Sequence, residues 1–192
     1  MRSAGLAAIT GGVLALAALV TVFVIEGRAE DNMMTSSGAT VAGWATFVAA
    51  SLLAVGLLGV VVRYVGVLSA VGRGALLVLG FSTAVTVGAA STLALVVPHL
   101  LERMPDLINN PPAAVPPTFI LSGLVSGICA IVLAVALRRA GLRGTATNLL
   151  IVGGVVTMLP LPSRFFMLAI AVGVLLLGPG VRAEQPTPAY AS

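Results

Sequence analysis

Charged residues divide this chain into long apolar runs. Cutting at every Arg, Asp and Glu leaves Ser3–Ile25 (23 residues), Asn32–Val62 (31), Gly74–Leu101 (28), Leu107–Leu137 (31), Gly144–Ser163 (20) and Phe165–Val181 (17). A helix needs about 20 apolar residues, with a range of roughly 17–25, to cross a hydrocarbon core about 30 Å thick. The first four runs exceed that length, and the last two only just reach it. Runs such as Val13–Val24 are apolar on every side. That pattern suits helices, which pair their backbone groups internally, and not barrel strands, which alternate apolar and polar positions. The predicted fold class is all-α: a polytopic transmembrane helix bundle of about six spans, at 6–25, 42–62, 75–97, 118–137, 145–161 and 165–181. These spans form one domain over 1–181, with a Pro-rich outer loop at 98–117 and a disordered cytoplasmic tail at 182–192.

Composition agrees with this reading. Of the 192 residues, 59% are apolar and only 8% are charged, whereas a soluble domain carries about 25% charge. So few charges cannot coat a globule in water, and the high hydrophobicity excludes intrinsic disorder. The first apolar segment is longer than the 7–15 residues of a signal-peptide core, and no small-residue cleavage site follows it. It is expected to remain as a helix.

Arginine supplies every basic charge, ten residues in all, and its distribution sets the expected orientation. With both termini in the cytoplasm, Arg2, Arg63, Arg73, Arg138, Arg139, Arg143 and Arg182 lie inside, and Arg28, Arg103 and Arg164 outside. This arrangement satisfies the positive-inside rule and points to a multi-pass protein of a bacterial inner membrane. Residues 63–72 are expected to hold a short interfacial helix, and Gly72-Arg73-Gly74 a loop. Pro160 and Pro162 break the last apolar region in two, because proline removes a backbone donor. Two short spans would bring Arg164 to the outer interface, where its side chain can snorkel to water.

Small and hydroxylic residues mark expected helix contacts. Ser122, Gly123, Ser126 and Gly127 share one side of the fourth span, and Gly123 and Gly127 form a G-x-x-x-G pair. Inside lipid, helices associate through such close packing and a few hydrogen bonds. Thr86 belongs to a hydroxyl group in the third span, with Ser82, Thr83, Ser91 and Thr92. The expectation for these is a bond to the carbonyl one turn back; the alternative is a polar seam or pathway.

Recognisable catalytic chemistry is scarce. The six spans as drawn hold no ionisable side chain apart from Cys129, which disfavours a proton relay. There is no C-x-x-C, H-E-x-x-H, G-x-S-x-G or Walker-type motif, and no cofactor is expected. The group Arg138–Arg143 is too small for a nucleic-acid footprint. His99, Glu102 and Asp106 fall at helical spacing and could in principle converge on a divalent metal. One His with two carboxylates is a thin ligand set for zinc, and Pro105 interrupts the helix it needs, so a solvated cap is the expected role. Residues 109–117, rich in proline, are expected to be extended.

Several features together resemble the small, uncharacterised six-helix integral membrane proteins of high-GC bacteria. These are the opening Gly5-Leu-Ala-Ala-Ile-Thr-Gly-Gly-Val-Leu, the Pro-rich loop running into Leu121-Ser-Gly-Leu-Val-Ser-Gly, the Arg-rich inner turn, and Gly153-Gly154 followed by Leu159-Pro-Leu-Pro. That resemblance implies a layout and no activity. The expected function is a non-enzymatic accessory or scaffold protein, or a small-molecule-binding membrane protein. Its expected partners are the bilayer, another membrane protein or a second copy of itself, with no nucleic acid. The alternatives are a small transporter or channel and, third, a membrane enzyme acting on lipid.

Overall fold

The computed structural model describes residues 2–26, 37–103, 115–159 and 164–178. Among these the fold is entirely helical: α1 (Arg2–Glu26), α2 (Ser37–Tyr64), α3 (Ala70–Leu95), α4 (Val97–Arg103), α5 (Val115–Arg139), α6 (Thr145–Met158) and α7 (Phe166–Leu177). Four helices are long and apolar enough to cross a membrane, with candidate spans Arg2–Val24, Val41–Tyr64, Ala70–Thr92 and Ile120–Arg139. The tail at 182–192 lies outside the described residues.

Helix ends differ from expectation in three places, each for a local reason. Residues 63–72 hold no interfacial helix: α2 runs on to Tyr64, a short turn follows, and α3 starts at Ala70. Ser69 caps α3 by accepting a hydrogen bond from the Gly72 amide at 3.3 Å, which satisfies one of the first-turn donors. Gly72, Arg73 and Gly74 are therefore helical and not a loop. The Pro-rich segment is also partly helical. Pro98 sits in the first turn of α4, and Pro116 and Pro117 in that of α5, where an absent N–H costs nothing. Residues 109–114 of the expected extended run lie outside the described residues.

Neighbour relations arrange six helices in a closed circuit. α1 packs on α2, α2 on α3, α3 on α5, α5 on α6, α6 on α7 and α7 back on α1, while α2 also touches α7. The short α4 contacts only α3 among the major pairings. Gly72 lies against Ala136, and Ser82 lies against Ser122 and Ser126, so α3 and α5 run antiparallel. Similar pairings (Gly56 on Ala8, Gly154 on Gly127, Gly5 on Leu176) make successive neighbours antiparallel. One end of the bundle thus gathers Arg2, Arg63, Arg73, Arg138, Arg139 and Arg143, whereas both acids among the described residues, Glu26 and Glu102, lie at the other.

The outside of the bundle is oily. Leu77 and Phe81 on α3 are 71% and 73% exposed, and Val62 on α2 is 71% exposed. The interior mixes small and branched residues, including Ala8, Ala49, Leu53, Leu79, Leu133, Leu168 and Val172. Where the surroundings are lipid, apolar burial drives little association, so tight contact must hold the helices. At Gly127 a methyl would collide with the Gly154 carbonyl and lie 2.5 Å from Met158 Cγ. Only a bare Cα admits that approach.

The last two helices are short. At 1.5 Å per residue, α6 with 14 residues and α7 with 12 extend about 21 Å and 18 Å, against a core about 30 Å thick. Phe166, at the start of α7, lies beside Gly12, and α1 continues about 21 Å beyond that point to Glu26. The α6–α7 pair therefore ends well below the far ends of its neighbours.

Candidate functional site

The polar interior is concentrated at the tip of α6–α7. Ser82 and Ser126, both buried, meet across α3 and α5 with their hydroxyl oxygens 2.6 Å apart. Both hydroxyls also reach the Ser122 carbonyl, Ser126 at 2.7 Å and Ser82 at 3.4 Å, so either serine can be the donor between them. Thr83 donates to Leu79 O at 2.8 Å and Thr86 to Ser82 O at 2.9 Å. On α6, Thr157 donates to Gly153 O at 2.7 Å. Among the α3 hydroxyls, those of Thr83, Thr86, Ser91 and Thr92 bond back along their own helix. Ser82 bonds across the interface instead, so the local habit and the polar seam coexist.

Arg164 completes the cluster: it is half-buried, and its Nη2 donates to Ser122 Oγ at 2.9 Å. The guanidinium lies over Gly123, where a methyl would come within 2.5 Å of Cζ and 2.8 Å of Thr157 O. Gly123 thus leaves the space that the guanidinium occupies. An unpartnered arginine buried at mid-depth in a membrane would cost several kcal/mol. Hydrogen bonds to a charged group are worth about 1.5–3 kcal/mol each, comparable to the roughly 2.5–3.5 kcal/mol insertion cost of an arginine at a helix centre. The serine of α5 changes the balance.

Between α2, α3, α5 and this tip lies a cavity of about 20 Å³ lined by Thr83, Thr86, Ser126, Thr157, Arg164 and Phe165, among others. A water needs about 10–15 Å³ by the same measure, so there is room for one or two. Every hydroxyl lining it sends its proton to a carbonyl or is otherwise bonded, and among the described residues no buried side-chain polar atom lacks a partner. The walls consequently offer lone pairs, while the guanidinium offers N–H groups and positive charge.

Two further arginines hold the same helix pair from the opposite end. Arg63 on α2 donates through Nη1 to Leu176 O and through Nη2 to Gly178 O at 2.7 Å. Its neighbour Tyr64, 1% exposed, donates to Leu175 O at 3.0 Å. These are carbonyls at the C-terminal end of α7, which lack helical partners and favour a cation. Arg138 on α5 donates through Nε to Thr147 Oγ1 at 3.3 Å and through Nη2 to Asn148 Oδ1, securing the start of α6.

The other anticipated residues fall as follows. Ser122, Gly123, Ser126 and Gly127 all face α3, α6 or Arg164, and Thr86 lines the cavity. His99 is exposed on α4, Glu102 lies on the same helix, and Asp106 lies outside the described residues. Among the described residues no three His, Cys, Asp or Glu side chains come together as a metal site. Cys129 is a half-buried free thiol on α5. Sequence reasoning missed Thr157 and the inward role of Arg164. The available signal was an arginine set between two apolar segments too short to place it confidently outside. Comparison with family models, with curated proteins and with solved structures finds no match.

Proposed function

We propose that this chain is a multi-pass protein of a bacterial inner membrane, with both termini cytoplasmic, that works without covalent catalysis as a small-molecule-binding or accessory protein. The bundle end carrying six arginines faces the cytoplasm in this reading, in accord with the positive-inside rule. The observation that carries the binding role is the arginine–hydroxyl pocket formed by Arg164, Ser126, Thr83, Thr86 and Thr157. An ionisable group set inside a helical bundle marks a functional site by default, and among the described residues this cluster is where an arginine meets interior hydroxyls, although its recess would have to widen to admit more than water. A screen of small polar solutes against the detergent-purified protein, read by thermal stabilisation, tests it. Ligands should raise the melting temperature of the parent and not of Thr86→Val/Ser126→Ala. Turnover of a lipid or solute by the purified monomer would overturn the non-enzymatic reading.

A transporter or channel is the second reading. It is favoured by one observation, the facing hydroxyls of Ser82, Ser126 and Thr86 inside the α3–α5 interface. Solute flux in proteoliposomes separates the two.

A further inference from the structure

We propose that the exposed arginines Arg2, Arg73 and Arg139 form a peripheral ring that binds the phosphate headgroups of anionic phospholipids in the leaflet at the basic end of the bundle. The inference rests on the membrane reading above and is independent of the Arg164 cluster. Three observations carry it.

The first is how the arginines of that end divide. Arg63 and Arg138 are spent on the protein itself, Arg63 on the carbonyls of Leu176 and Gly178 and Arg138 on the side chains of Thr147 and Asn148. Arg2, Arg73, Arg139 and Arg143 are exposed instead. Both acids among the described residues, Glu26 and Glu102, lie at the far end. No described carboxylate is placed to neutralise these four.

The second observation is register. Arg2, Arg73 and Arg139 each head an outward apolar stripe on their own helix. On α1, Leu6 and Val13 follow Arg2 by four and eleven residues. On α3, Leu77 and Phe81 follow Arg73 by four and eight, and on α5, Val135 and Ile128 precede Arg139 by four and eleven. All six apolar side chains are exposed, and these spacings keep to one face of a helix. A diacyl phospholipid carries the matching pattern, a charged head above long apolar chains. Since α2 stands between α1 and α3, and α6 and α7 between α5 and α1, the stripes lie on different sides of the bundle. Arg143 differs: it sits in the turn between α5 and α6, beyond Gly141 with its φ of 92°, and heads no stripe.

Electrostatics is the third. Arg2 and Arg73 occupy the first turns of α1 and α3, where the positive end of the helix dipole disfavours a cation. A phosphate there answers both the side chain and the dipole, and it accepts paired N–H groups from a guanidinium. Cα–Cβ bonds tilt toward the helix N-terminus, which in both helices directs the side chain outward, toward headgroup level. Each arginine near an anionic membrane surface adds to the attraction.

Spin-labelled lipids test the proposal. The protein is reconstituted in phosphatidylcholine bilayers at neutral pH, with a trace of spin-labelled phosphatidylglycerol or spin-labelled phosphatidylcholine. The motionally restricted part of each spectrum counts lipid held against the protein, and the ratio of the two gives the preference. The parent should prefer phosphatidylglycerol by about threefold or more. That ratio should approach unity in about 1 M salt and in the triple variant Arg2→Gln/Arg73→Gln/Arg139→Gln, while Arg143→Gln should keep most of it. Should the triple variant not reconstitute, each single substitution should remove part of the preference. No preference in the parent at low salt would overturn the proposal, as would a triple variant that matches the parent. A loss from Arg143→Gln as large as that of the triple variant would assign the effect to bulk charge and overturn it too. Displacement by inorganic phosphate at equal ionic strength would make the ring a site for free anions, with the same consequence. A protein that restricts neither lipid would refute the membrane reading itself, whereas restricted lipid without preference refutes the ring alone.

Discussion

The guanidinium of Arg63 and the main-chain oxygen of Leu176 are hydrogen-bonded across 113 residues of sequence, and this contact joins the end of α2 to the end of α7. A helix C-terminus leaves its last carbonyls unpaired, and in lipid that omission costs several kcal/mol per group. Arg63 and Tyr64 together serve Leu175, Leu176 and Gly178. A 12-residue helix that cannot span the membrane alone is thereby held at its basic end.

Tyr64→Phe should destabilise the bundle by about 1 kcal/mol, the usual net worth of one hydrogen bond. Arg63→Ala should cost about 1.5–3 kcal/mol because its bonds are charge-assisted. As both substitutions release the same helix end, the double variant should fall short of the sum. Unfolding in mixed micelles by titration with a denaturing detergent measures all three.

The Arg164–Ser122 pair gives a prediction in which the two partners behave differently. Ser122→Ala leaves a partly buried cation short of an acceptor and should cost about 1–3 kcal/mol. Arg164→Met removes the charge along with its desolvation penalty and should cost less than Ser122→Ala, since losing one partner is worse than replacing the cation with an apolar chain. In the Arg164→Met background, Ser122→Ala should then have a clearly smaller effect. A double-mutant cycle on thermal stability reads the difference.

Glycines at contacts and glycines in the open should respond oppositely. Gly127→Ala places a methyl against the Gly154 carbonyl and Met158 and should cost about 1–3 kcal/mol through overpacking. Nothing lies within 4 Å of a methyl built at Gly80. Gly80→Ala should therefore be neutral or stabilising by up to about 1 kcal/mol, the propensity difference in a helix. Melting temperatures of the two variants in one detergent make the comparison.

Ser126→Ala should cost about 0.6 kcal/mol, and no more than about 1.7, as interhelical hydrogen bonds in membranes do. Thr86→Val keeps the shape and gives up only a bond along its own helix, so its stability should change by less than that of Ser126→Ala. Parallel denaturation curves would show the order.

Much of this molecule was legible from the spacing of charge. The uncharged runs locate the long helices because lipid tolerates so few ionisable groups. The small residues Ser122, Gly123, Ser126 and Gly127 identify the α5 contact face because only they allow close approach. The role of Arg164 was not legible. Whether an arginine between two apolar segments reaches water or stays inside depends on what a distant helix offers it, here the Ser122 hydroxyl. The clamp of Arg63 and Tyr64 on α7 was hidden for the same reason: carbonyls of residues more than 100 positions away leave no local pattern. Local rules failed at helix ends too, where Ser69 capped α3 early and Pro116 and Pro117 opened α5.

Contact with lipid is the premise of the whole account, and the outward face of α3 tests it most directly. A nitroxide is placed at Phe81→Cys, 73% exposed in the bundle, in the Cys129→Ser protein reconstituted in bilayers. Its collisions with oxygen, which dissolves in hydrocarbon, are compared with those of a water-soluble nickel chelate. We expect oxygen to dominate, with the chelate nearly excluded. Free collision with the chelate at Phe81→Cys would place that face in water and contradict the account.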